Sequence, residues 1–103
     1  MDDFQQQIQV QVPEDVQGGV YANMAMVWHT PFEFTMDFAV LQPTIPGPEG
    51  ERVTPARVVA RVKFPPSQIF QLLQAINANM TKYEESFGPI SGPVQQPSTD
   101  DEI

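Results

Sequence analysis

The sequence predicts an α+β fold: an antiparallel four-stranded sheet in the order β-β-β-β-α, packed by one C-terminal helix in two layers. Three observations carry this. Ahead of residue 65, apolar and polar side chains alternate in several short stretches, the period of a half-buried strand. From Pro66 to Phe87 the period changes, and Ile69, Leu72, Leu73, Ile76, Met80, Tyr83 and Phe87 recur at helical spacing, the stripe of an amphipathic helix. The strands all precede the helix, which segregates the two kinds of element into separate layers.

Taken in order, residues 1–6 are polar and are expected to be flexible. Gln7 to Val12 alternates without error, with Ile8, Val10 and Val12 on one face and three glutamines on the other. This is the first expected strand, ended by Pro13. A second is expected from about Val20 to His29 and a third from Phe32 to Leu41. The intervening Thr30-Pro31 makes these two a hairpin. Pro43 to Arg52 holds three prolines and two glycines and reads as an exposed loop. The fourth strand runs from about Pro55 to Phe64. Pro65-Pro66 stops it and opens the helix, because proline fits the first turn, where its missing N–H has no partner to lose. Gly88 stands where a C-terminal cap belongs, and Pro89 prevents continuation. The domain is therefore expected over residues 7–88 and a disordered acidic tail over 89–103. A meander is the simplest strand order.

The 103 residues are enough for one domain with a core. The absence of cysteine excludes disulfides and thiolate metal sites. No secretory leader and no bilayer-length apolar run is present, which sets cytoplasmic location as the expectation and no membrane as partner. Thirteen acidic residues against five Lys and Arg give a net charge of −8. A surface this acidic repels phosphate backbones and argues against nucleic acid as a partner.

A size argument points to self-association. A helix is about 10–12 Å wide with its side chains, whereas four strands make a sheet roughly 15–20 Å wide. One helix cannot cover such a face, and a contiguous apolar remainder marks an interface. The expectation is a homo-oligomer, a two-fold dimer first, with a protein partner as a second candidate occupant of the same surface. Tyr21, Met24, Met26, Trp28, Phe32 and Phe34 are the expected interaction surface.

His29 is the single histidine. If it shares a face with Glu33 and Asp37, the three form a candidate metal or proton-transfer site. The plainer expectation is that Glu33 and Asp37 pair with Arg57, Arg61 and Lys63 across neighbouring strands, which stabilises a sheet. Those three bases are also the only basis for a nucleic-acid-binding reading. No phosphate-binding loop, nucleophile elbow or metal-ligand spacing occurs. No catalytic residue and no cofactor is therefore assigned, and the chain is expected not to be an enzyme.

Four motifs stand out: Tyr21 with Asn23, His29-Thr30-Pro31, Glu33-Phe34 with Asp37-Phe38, and Asn79 with Tyr83-Glu84 and Phe87-Gly88. Together they resemble a family of small bacterial and archaeal proteins known only as a domain of unknown function. The resemblance covers about residues 7–90 and implies no activity and no catalytic residue. At the level of fold alone, the chain is also similar to the export chaperone SecB, which is acidic and places a helix after four antiparallel strands. Together these features favour a small oligomeric interaction protein, chaperone-like in presenting an apolar face or sheet edge. The alternatives are a regulatory nucleic-acid-binding module and a small enzyme around His29.

Overall fold

The computed structural model describes residues 6–91. Residues 1–5 and 92–103, which include most of both expected flexible ends, lie outside the described residues. The fold class is α+β, with antiparallel strands followed by one C-terminal helix. A 3-10 turn at Glu14–Val16 precedes β1 (Met24–His29) and β2 (Phe34–Leu41). Then come the two-residue strands β3 (Ile45–Pro46) and β4 (Arg52–Val53), and the long β5 (Ala56–Phe64). A 3-10 turn at Pro66–Gln68 leads into α1 (Ile69–Phe87). The main sheet is a three-stranded meander in the order β1-β2-β5, and β3 and β4 form a separate small ribbon.

The hairpin turn is fixed locally. Thr30 Oγ1 accepts the backbone N–H groups of Phe32 and Glu33 at 3.1 and 3.2 Å, and the Thr30 N–H donates to the Glu33 carbonyl. At the other end of the hairpin the side chain of Asn23 takes over from the ladder. Its Oδ1 accepts the Leu41 N–H at 2.9 Å, while its own N–H donates to the Ala39 carbonyl. Two families of residues opposite one another define the two faces of the sheet. Met26, Asp37 and Arg61 lie in one row, with Trp28, Thr35 and Lys63 beside them. Val27, Met36 and Val62 form a row on the other side, next to His29, Phe34 and Phe64. We call these the ionic face and the phenylalanine face.

Between Phe38 and Ala39 the β2–β5 register shifts by one residue. Ala60 lies opposite Phe38 and Val58 opposite Ala39, so Val59 is the extra residue of a β-bulge. Next to it lies the best-buried point of the subunit. Ala39 is 0% exposed, and Met24, its partner on β1, is the other buried apolar residue among those described.

Two expectations need correction. The main sheet has three strands rather than four, because Gln7 to Val12 is unpaired. Its alternation is real, but among the described residues no strand pairs with it, and Ile8 is 86% exposed. The helix, in turn, does not cover the sheet as a second layer. Among the described residues, the closest packing of α1 is with the 3-10 turn leading into it. The Cα radius of gyration is 18.2 Å, against about 13 Å for a compact chain of this length.

The tight site at Ala39 sets the first expectation. Ala39→Leu should lower stability by about 1–3 kcal/mol, the usual cost of forcing extra methylenes into filled space. Urea unfolding at fixed protein concentration would measure it.

Candidate functional site: the ionic face and the open apolar surface

The centre of the ionic face is a carboxylate held from three directions. Asp37 is 2% exposed. Arg61 on β5 lies directly opposite, and its Nε–H donates to Oδ1 at 2.7 Å while Nη2 donates to Oδ2 at 2.9 Å. The indole Nε1–H of Trp28 donates to Oδ2 at 3.0 Å. The cover over Asp37 is one side chain thick, since the Arg61 side chain is 58% exposed. Bidentate guanidinium–carboxylate pairing of this kind is among the stronger polar contacts a protein makes. The hydrogen bond from Arg61 holds the Asp37 carboxyl below its ordinary value of 3.8, outweighing the upward push of burial, and the Trp28 indole adds to the lowering. Arg61 is shifted upward in return, chiefly by the same hydrogen bond. A second pair flanks the first, with Lys63 Nζ 3.0 Å from Glu33 Oε2.

The register separates several residues that sequence parity suggested would meet. His29 stands opposite Phe34 on the phenylalanine face, with ring centroids 5.7 Å apart. It therefore does not join Glu33 and Asp37. Among the described residues no three His, Cys, Asp or Glu side chains converge in a metal-holding arrangement. Arg57 is also displaced. The bulge at Val59 turns it opposite Val40, away from the face that carries Arg61 and Lys63, and it makes no ion pair among the described residues. The three bases thus form no common patch, and two of them are committed to carboxylates.

The expected interaction surface divides in the same way. Met24, Met26 and Trp28 belong to the ionic face, where Met24 is buried and the other two half-buried. Phe34 belongs to the opposite face. Phe32 sits in the hairpin turn and Tyr21 precedes β1, both exposed and off the sheet.

The large open apolar surface lies elsewhere. Along α1, Leu73 is 55% exposed, Phe87 is 75% exposed, and Ile76, Met80 and Tyr83 lie between them on the same stripe. On the phenylalanine face Val62 is exposed, and Phe34, Met36, Phe38 and Phe64 are half-buried. The stripe and this face meet in an open cleft of about 340 Å³ lined by Met36, Phe38, Val62, Phe64, Gln68 and Leu72. Helical periodicity had already marked the stripe as a surface to be buried. What it could not show is that the cover would be missing within the subunit.

These features define a small α+β protein built on a three-stranded antiparallel meander, with an ionic lock on one sheet face and unclosed apolar surface on the other. The chain belongs to the family described as protein of unknown function (DUF3467), whose model matches residues 1–92. No curated protein and no solved structure matches it significantly, SecB included. No helix among the described residues is long and apolar enough to cross a membrane.

The segments that carry the family resemblance contain the residues holding this geometry together. Asn23 extends the ladder, Thr30 closes the hairpin and Asp37 anchors the ionic face. The Glu84 carbonyl accepts the Gly88 N–H, and its carboxylate accepts the Ile90 N–H.

The lock yields a prediction with a definite sign. Asp37 has a lowered folded value, so its stabilisation is complete above the ordinary carboxylate range and is lost as pH falls through it toward the folded value. Asp37→Asn should cost about 1.5–3 kcal/mol near neutral pH, the range for hydrogen bonds to charged groups. The difference from wild type should shrink below about pH 4. Urea titrations of both proteins across that range, at one protein concentration, would check it.

Proposed function

We propose that the chain works in the cytoplasm as a homodimeric interaction protein, in which α1 of each copy lies on the phenylalanine face of the other. The carrying observation is the open stripe of α1, which none of the described residues covers. Dimensions agree with this arrangement. Nineteen helical residues span about 28 Å, and the nine residues of β5 span about 30 Å. The existing cleft at Leu72 is where helix and sheet face already adjoin, and a two-fold partner extends that contact along the rest of the stripe.

The energetic case is direct. Met24 and Ala39 are the buried apolar residues among those described, a very small core against the conformational entropy of ordering this chain. Covering a large apolar side chain stabilises by about 1.5–3 kcal/mol, and α1 and the phenylalanine face offer many such side chains. In proteins most of the stability of a helix comes from packing its amphipathic face rather than from propensity. The dimer then presents its remaining apolar surface and sheet edges to other proteins, which is the chaperone-like element of the reading.

Light scattering at micromolar concentration should give about 23 kDa, twice the chain mass of 11.5 kDa. Ile76→Glu, which places a charge in the middle of the stripe, should shift the mass toward the single chain and weaken the helical circular dichroism signal. A wild-type mass of one chain would overturn the proposal.

A further inference from the structure

The segment Gln7–Val12 has the side-chain pattern of a strand and no strand beside it. Ile8, Val10 and Val12 are all exposed, although alternation of this kind is what a sheet uses to bury one face. Among the described residues the main sheet also has two unpaired strand edges, the outer sides of β1 and β5. Free edges of this kind are pairing sites for a further strand. We propose that Gln7–Val12 of one copy adds to the β5 edge of the second copy, so that the dimer exchanges strands as well as helices. This rests on the dimeric reading above and specifies how its two chains are joined.

The choice of β5 follows from the pattern of its two sides. Near its C-terminal end β5 presents Ala60, Val62 and Phe64 to the phenylalanine face, and Arg61 and Lys63 to the ionic face. A strand reading Gln-Ile-Gln-Val-Gln-Val matches this on both sides. Its apolar residues continue the phenylalanine face, and its glutamines lie beside the two bases, where their amide oxygens can accept hydrogen bonds. The β1 edge offers no such match. It carries Met24, Met26 and Trp28 on the ionic side and Ala25, Val27 and His29 on the other, so either orientation sets glutamines against apolar neighbours.

The choice of a second copy follows from topology. The segment enters the fold from the β1 side, and β5 lies beyond β2 on the far side of the sheet. To reach its own β5 edge, the chain between Val12 and Met24 would have to cross a sheet face. In the subunit that connection instead turns through Glu14–Val16, and its residues stay largely exposed.

The cysteine-free sequence allows a clean test. Chains carrying Gln9→Cys are mixed with chains carrying Lys63→Cys, unfolded and refolded together, and treated with a short bis-maleimide. Cross-linked heterodimer is expected, in clear excess over the linkage formed when Gln9→Cys is paired with a cysteine at Glu85. Gln9→Pro and Val10→Pro are tested singly by light scattering. Adjacent N–H groups of a strand point to opposite sides, so one of the two prolines removes a ladder donor in any register. That variant should weaken the dimer at least tenfold while leaving the helical circular dichroism of the remaining dimer intact. A normal dimer mass with no excess cross-link and no effect of either proline overturns the strand exchange and leaves the helix-mediated dimer standing. A single-chain mass for the wild type overturns both.

Discussion

Burial of apolar surface is the constraint on which this structure depends, and the subunit meets it only in part. The central strand β2 is well served, with β1 and β5 on either side and Ala39 sealed at the bulge. Away from it, α1 extends beyond the sheet with its stripe open, and the N-terminal segment carries three apolar residues into solvent. Stable domains owe their margin to a small excess of burial over chain entropy. A chain that arranges its helix and sheet in this way carries its apolar surface formed and aligned, with the stripe of α1 facing outward.

The ionic face answers a different need. A carboxylate this buried would be costly without partners, and Asp37 is matched on both oxygens. Its partners come from β1 and β5, so a single side chain on β2 ties together all three strands of the sheet. Such a tie stabilises modestly and discriminates strongly, because a one-residue slip would move Asp37 to the opposite face. The pairing of Lys63 with Glu33 reinforces the same register from a more exposed position, where an ion pair adds little energy.

Much of the fold was legible from residue order. The helix limits follow from Pro66 and Gly88, the hairpin from Thr30-Pro31, and the α+β class from the change of period. The sharing of faces was not. Pairing His29 with Phe34 leaves four residues between them, and across any even-length connection an even-numbered residue meets an odd-numbered one. Met26 therefore lies beside Asp37 and not on the phenylalanine side. The Val59 bulge then reverses parity again within β5, which no alternation pattern signals, since valine suits either position. The open stripe was visible as a pattern but not as an exposure. Periodicity says which residues seek cover, and it is silent on whether the cover belongs to the same molecule.

The bulge also gives the strand slack. Upstream of Val59, β5 has Val58 on the ionic side and Arg57 on the other; downstream the assignment of odd and even residues is interchanged. Ala60 and Val58 already stand opposite the consecutive residues Phe38 and Ala39, so Val59 is surplus to the ladder. Removing that one valine would restore uninterrupted pleating and leave Val58 and Arg57 on the sides they occupy now. A single-codon deletion here is therefore the length change this strand absorbs most easily, whereas the loss of a residue from β2, which has no spare, would turn half of the central strand over.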